Sequence, residues 1–362
     1  MTILLLLLPL LLSFATVHCH CPDFHHETQF TLATLENANT AESILRLHDQ
    51  VKEPHVKKFG GDTLAYVTPW NNRGYDVVKE FKGKFDYVSP VWYYVERTNE
   101  PGDEIFKIIG EHDVDAKWMA EVRGPNTGKI VPRFQFRNWD FNGYQSFASN
   151  PEDAHKMVEL LMGQVRKHGF DGIVVECGYP TFFPLFINNM AAALHNDNKE
   201  FIVVLPPLRS AEQSKILNRD IFASLAQVVD RFSIMTYDYS SHAPHGGPSA
   251  PVDWIMDNIE QLTNDENAHQ LLVGINLYAM SYQETRMPEA KILSSVLETL
   301  DGKELEWDEE SEEHWFEDDD GSKVWMPTRK SIEKRVHLAE DYEVGLSLWE
   351  VGQGLDYFYE LL

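Results

Sequence analysis

Between residues 64 and 349, short β-branched and aromatic runs alternate with helical patterns eight times, and that alternation leaves few architectures open. The strand candidates are Leu64–Pro69, Tyr87–Trp92, Ile130–Phe136, Gly172–Cys177, Phe201–Leu205, Phe232–Tyr237, Leu271–Tyr278 and Gly345–Trp349. Parallel strands need long crossovers, which helices supply while covering the outer face of the sheet. Eight such units predict an α/β fold, a (β/α)8 TIM barrel.

One crossover shows how the signals agree. Asn150 suits an N-cap, Pro151 the first helical position, and Glu152 and Asp153 the positive end of the dipole. Met157, Leu160, Leu161 and Val165 recur at helical spacing, and Gly169 follows as a terminator. The chain then passes directly into the fourth strand. Between strands seven and eight lies one excursion. Leu305–Trp307, Trp315–Phe316 and Val324–Trp325 are short apolar runs around the acidic stretch Asp308–Glu313 and the turn Asp319-Asp320-Gly321. They predict a small β-hairpin insertion, with the acidic stretch as a solvated face.

The first nineteen residues read as a secretory signal peptide, because Ile3 to Leu12 is an apolar run too short for a membrane span. Residues 20–60 form a polar extension with one short helix at Ala41–Val51, and 61–362 form the barrel. A net charge of −26 argues against nucleic acid as a partner. No later window is apolar enough for a membrane span, so a secreted or lysosomal protein is expected. The three cysteines, Cys19, Cys21 and Cys177, are too few for a disulfide framework. His18-Cys19-His20-Cys21 has metal-site composition but straddles the expected cleavage point, so no metal and no cofactor is predicted. Cys177 reads as a buried thiol, with a Cys21–Cys177 bridge left open. No Asn-x-Ser/Thr sequon occurs.

Phe170-Asp171-Gly172-Ile173-Val174-Val175-Glu176-Cys177-Gly178-Tyr179-Pro180 carries the functional information. It resembles the strand-four signature of family 18 glycoside hydrolases, Phe-Asp-Gly-x-Asp-x-Asp-Trp-Glu-Tyr-Pro. On a continued strand, 174, 176 and 178 share one face. The resemblance implies a catalytic glutamate at the last of these, where this chain has Gly178, and aspartates where it has Val174 and Glu176. Glu176 lies two residues deeper, about 6–7 Å along the strand. A general acid must come within about 3 Å of its proton acceptor, so Glu176 would fall short. The resemblance therefore implies a chitinase-like branch without the acid, and no catalytic residue is assigned.

Three further segments carry the resemblance. Met235-Thr236-Tyr237-Asp238-Tyr239 is similar to the strand-six motif, whose tyrosine and aspartate meet the sugar's N-acetyl group. Asn276-Leu277-Tyr278-Ala279 is similar to the strand-seven motif. Gly345-Leu346-Ser347-Leu348-Trp349-Glu350 is similar to strand eight, whose tryptophan stacks under the sugar. Independently, a pyranose needs an aromatic face and hydrogen-bond partners. Trp349, Tyr237, Asp238, Glu176, Tyr66, Tyr278, Trp139, Trp92 and Trp70 fall at or near strand C-termini and are the candidate binding residues. Core or loop packing is the competing reading for the aromatics. For Glu176 the competing readings are a buried carboxylic acid bonded to Tyr237 or Asp238, a sugar contact, and a relocated acid. The expectation is oligosaccharide binding without hydrolysis, with a protein receptor left open as a further partner. The alternatives are an altered glycosidase using Glu176 and a protein-interaction scaffold.

Overall fold

The computed structural model describes residues 39–98, 105–124, 128–243, 245–284 and 286–362. The expected signal peptide and the His18–Cys21 cluster lie outside the described residues, as does Cys21.

The eight barrel strands appear in the expected places. They are β1 (Thr63–Val67), β2 (Tyr87–Pro90 and Tyr93–Arg97), β3 (Lys129–Ile130 and Arg133–Phe136), β4 (Gly172–Glu176), β5 (Glu200–Leu205), β6 (Arg231–Ile234), β7 (Leu271–Asn276) and β8 (Gly345–Trp349). All eight pair in parallel in sequence order, and β8 pairs with β1. Strands β2 and β3 are each bent. Pro132 has no N–H to give, so the β3 ladder breaks there and resumes at Arg133. The second half of β2 also carries an antiparallel partner, Phe106–Ile109, which the sequence pattern does not predict.

Inward-facing positions alternate along the strands and meet as one core: Leu64, Tyr66, Tyr87, Val91, Val131, Val174, Ile202, Val204 and Leu272. The parity continues upward, so Arg133 and Gln135 share the inward side of β3 with Val131. Gly172 is required where β4 runs against β5, because a Cβ there would lie 2.2 Å from the Glu200 carbonyl oxygen.

The helix before β4 spans Pro151–His168 as its signals predict. The Asn150 side chain accepts from the Glu152 N–H, and Gly169 closes the helix at φ 65°. The early helix is shorter than its pattern suggests, Ala41–Leu47, and begins with a reciprocal Thr40–Ser43 cap.

The excursion before β8 is larger than a hairpin. It is a five-stranded antiparallel sheet in the order 289–292, 278–282, 323–326, 313–317, 306–308. The three apolar runs form three of its strands. The other two come from the chain immediately after β7, where Tyr278 leaves the barrel and opens the second sheet. The acidic stretch is not wholly solvated, since Glu313 is buried against Arg335.

Candidate saccharide-binding site

At the C-terminal mouth of the barrel, Trp349 ends β8 and is half-buried, packed against both the barrel core and the aromatic cluster of the second sheet. Tyr66 on the neighbouring β1 meets it edge-on, with ring centroids 5.1 Å apart. The Tyr66 hydroxyl donates to Ser233 on β6, which donates to Ser347 on β8. The guanidinium of Arg133 lies 5.2 Å from the centre of the Trp349 ring, a cation–π contact. The peptide between Trp349 and Glu350 is cis.

Two strands from β8, β6 stops at Ile234, so Tyr237 and Asp238 sit in the loop after it, Asp238 at φ 60°. Both are half-buried. The Tyr278 hydroxyl donates a short hydrogen bond to the Asp238 carboxylate, and the Tyr237 and Tyr278 rings meet nearly at right angles. Burial holds the hydroxyls of Tyr66, Tyr237 and Tyr278 above the usual phenol range, so they are neutral donors. The arrangement offers an aromatic surface with hydroxyl and carboxylate partners beside it, the pairing a pyranose with an N-acetyl group requires.

Glu176 departs from the expected pairing. Its carboxylate is bonded to neither Tyr237 nor Asp238. It accepts from Arg133 at 2.8 Å and from the Gln135 amide at 2.7 Å. Gln135 stands directly opposite Glu176 in the β3–β4 register. Arg133, on the same inward row, is the ion-pair partner of Glu176, while the Asp238 carboxylate is bonded by Tyr278. The sequence reading missed Arg133 and Gln135. The period-two alternation on β3 places both on the inward side, and that signal was available.

Gly178 differs from expectation in a further way. Strand β4 ends at Glu176, and Gly178 adopts φ +77° in the following loop. The row of alternating side chains therefore stops at Glu176. A side chain at 178 would meet open space but would carry the strain of a left-handed backbone. Beside it lies an apolar cavity of about 480 Å³, lined by Phe141, Tyr144, Cys177, Tyr179, Phe182 and Phe183 among others. Cys177 is buried there, and burial pushes its thiol up to about 12.

Two predicted aromatics are packing residues, and a third is exposed. Trp92 is fully buried; its indole N–H donates to the Tyr75 hydroxyl, and it packs on Trp118 and Phe170. Trp139 donates to the Val95 carbonyl and stacks among Phe106, Phe136 and Phe147. Trp92 is enclosed by residues of the helices Asn72–Glu80 and Ala116–Val122 and by Phe170, and Trp139 by the Phe106–Ile109 strand and its neighbours. Trp70 is 63% exposed in the loop after β1.

A third missed residue is Glu350, buried directly after Trp349. It accepts from the Asn71 amide at 2.6 Å and from the Gly352 N–H at 3.0 Å. Desolvation outweighs these two bonds and raises its pKa to about 7. No cluster of potential metal ligands occurs among the described residues. None of the described helices is long and apolar enough to cross a membrane.

Comparison with known proteins agrees with this fold. The cortical fragment-lytic enzyme of Bacillus subtilis (strain 168) is 21% identical over 320 residues, covering 83% of this chain and 73% of that protein. A chitinase from Chromobacterium violaceum ATCC 12472 superposes with a TM-score of 0.67 at 19% identity, covering 83% of this chain and 98% of that one. The chitinase of Cycas revoluta in complex with (GlcNAc)3 gives a TM-score of 0.67 at 14% identity, with coverage of 83% and 98%. The profile described as Glycosyl hydrolases family 18 matches residues 134–354, from the bent third strand through the loop after Trp349. That span includes Glu176, Tyr237, Asp238 and Trp349, and the chain belongs to glycosyl hydrolases family 18.

Proposed function

We propose that this protein binds N-acetylated glycans, chito-oligosaccharides or related chains, at the mouth of its barrel and does not cleave them. The supporting observation is the fate of the strand-four row. Its remaining carboxylate is tied to Arg133 and Gln135, and the position of the family's acid is Gly178, beyond the end of the strand. A general acid has to reach the glycosidic oxygen within about 3 Å, and this carboxylate is instead turned to two donors on β3. The aromatic and N-acetyl-binding side, by contrast, is retained. This combination supports placing the chain in the chitinase-like branch represented by chitinase domain-containing protein 1, with a secreted or lysosomal setting.

Two other readings have specific support. Lytic relatives favour a glycosidase, which would have to use Glu176 after release from Arg133. Exposed Phe141 and Phe182 beside the apolar cavity favour a surface that contacts a partner, such as a protein receptor.

The binding reading is tested at Trp349. Removing the ring in Trp349→Ala is expected to weaken chito-oligosaccharide binding by about 1–3 kcal/mol, roughly five- to 150-fold. Titration calorimetry on the folded variant provides the measurement. Affinity equal to wild type would place the sugar elsewhere.

A further inference from the structure

Arg209 lies in the loop after β5 and is exposed, yet its guanidinium reaches across to the loop after β6. Nη1 donates to the Tyr239 carbonyl at 3.0 Å, and Nη2 donates to the carbonyls of Tyr237 at 3.2 Å and Asp238 at 3.1 Å. Three successive carbonyls thus meet one cation. The guanidinium carbon also stands 5.1 Å from the centre of the Trp254 ring, which Tyr239 meets at 5.0 Å between centroids. The residue before this clamp is fixed independently. Leu208 is buried; its N–H donates to Asn258 Oδ1 at 2.7 Å, and its carbonyl accepts from the Trp254 indole at 2.9 Å. Both partners belong to the helix Val252–Leu262. Arg209 therefore starts from an anchored backbone, and its planar fork spans acceptors that a single lysine nitrogen would not.

The clamped stretch is the one that carries Tyr237 and Asp238. Asp238 has φ 60°, a left-handed conformation that persists where the surroundings over-determine it. Its N–H donates to Ser249 Oγ at 3.2 Å, and the Tyr239 N–H donates to the Ser249 carbonyl at 2.8 Å. Ser249 is itself buried, and its N–H donates to Glu313 at 3.0 Å. Ser249 thus takes up the N–H groups of Asp238 and Tyr239, and Arg209 takes up the carbonyls of both. The Asp238 carboxylate is left to Tyr278.

We propose that Arg209 is a positioning residue for the acetamido side of the site: its fork holds the backbone from Tyr237 to Tyr239 in the arrangement that turns the Asp238 carboxylate toward Tyr278 and the bound sugar. The proposal rests on the reading of Tyr237 and Asp238 as partners of an N-acetyl group. Arg209 touches no sugar in this account. It acts through Asp238, so its effect on binding depends on the carboxylate being there.

The test is a double-mutant cycle, read by titrating tri-N-acetylchitotriose into the whole protein. Arg209→Met keeps an unbranched side chain against Trp254 but removes every donor. It is expected to weaken binding about tenfold, the worth of one misdirected hydrogen bond to a charged group. Asp238→Gly removes the carboxylate while suiting the left-handed backbone. On that background Arg209→Met should change affinity by less than about twofold. An equal loss on both backgrounds, or no loss while Trp349→Ala still weakens binding, would overturn the proposal and leave the binding reading standing. Should the trisaccharide not bind wild type, the binding reading fails; should it not bind Asp238→Gly, the cycle does not close. In either case hydrogen exchange of the ligand-free protein decides the positioning claim. The amides of Asp238 and Tyr239 should exchange about ten times faster in Arg209→Met, with those of β6 unchanged. Unaltered exchange at those two amides would overturn the claim.

Discussion

Arg335→Met is expected to lower the unfolding free energy by about 3–5 kcal/mol. Arg335 lies in the helix Arg329–Asp341 and is 3% exposed. Its guanidinium donates to the carbonyls of Glu312, Ser331, Ala250 and Ser311, and stands 3.3 Å from the Glu313 carboxylate. Glu313 in turn accepts from the N–H groups of Ser249 and Ala250. One pair thus fastens the second sheet, the loop after β6 and the last long helix together. Burial raises the Glu313 carboxyl while Arg335 lowers it, so removing the arginine leaves a buried acid without its counter-charge. Chemical unfolding with an unchanged m-value should report the loss as a lower midpoint. A change below about 1 kcal/mol would mean the pair is not the fastening between sheet and barrel.

The second large effect is a slope in stability against pH. Glu350 is raised from an ordinary 4.5 to about 7 in the folded protein. Below about pH 4.5 both folded and unfolded chains carry the proton, and the contribution is fully present. As pH rises through 4.5 toward 7, the unfolded chain releases its proton first, so stability falls by on the order of 3 kcal/mol and then levels off. His314 acts in the opposite sense. Burial lowers its pKa to about 4, so its contribution is present above about pH 6.5 and is lost as pH falls toward 4. The comparison of wild type with Glu350→Gln isolates the first term. Glutamine keeps an oxygen for Asn71 but turns an amide N–H toward Gly352, a cost that does not vary with pH. The difference in unfolding free energy between the two proteins should therefore change by that amount between about pH 4.5 and pH 8. A constant difference across the range would show that the carboxyl is not desolvated.

The barrel was legible because parallel strands and crossover helices each leave their own periodicity, and strand β8 ends where the pattern ends. The corrections arise where one residue's role depends on a distant neighbour. Glu176 has a period-two position in the sequence, but its charge is answered from β3, forty-three residues earlier. Trp92 and Trp139 occupy strand ends, as binding aromatics do, yet Trp118 and Phe170 enclose the first and the unpredicted strand Phe106–Ile109 provides a packing partner for the second. Glu313 belongs to an acidic run whose other members offer no local sign that this one turns inward. Tyr237, Asp238, Tyr278 and Trp349 were recognisable from their motifs, and the structure brings them to the same end of the barrel. Tyr278 does so from the second sheet rather than from β7.

The central claim is binding without cleavage, and one mixture tests it most directly. Wild-type protein is titrated with a chito-oligosaccharide, and the same solution is then followed for shortened products by mass spectrometry over hours. The account predicts saturable binding and an unchanged oligosaccharide. Shortened sugar that appears with wild type and disappears with Glu176→Gln would contradict it and make the paired carboxylate a catalytic acid.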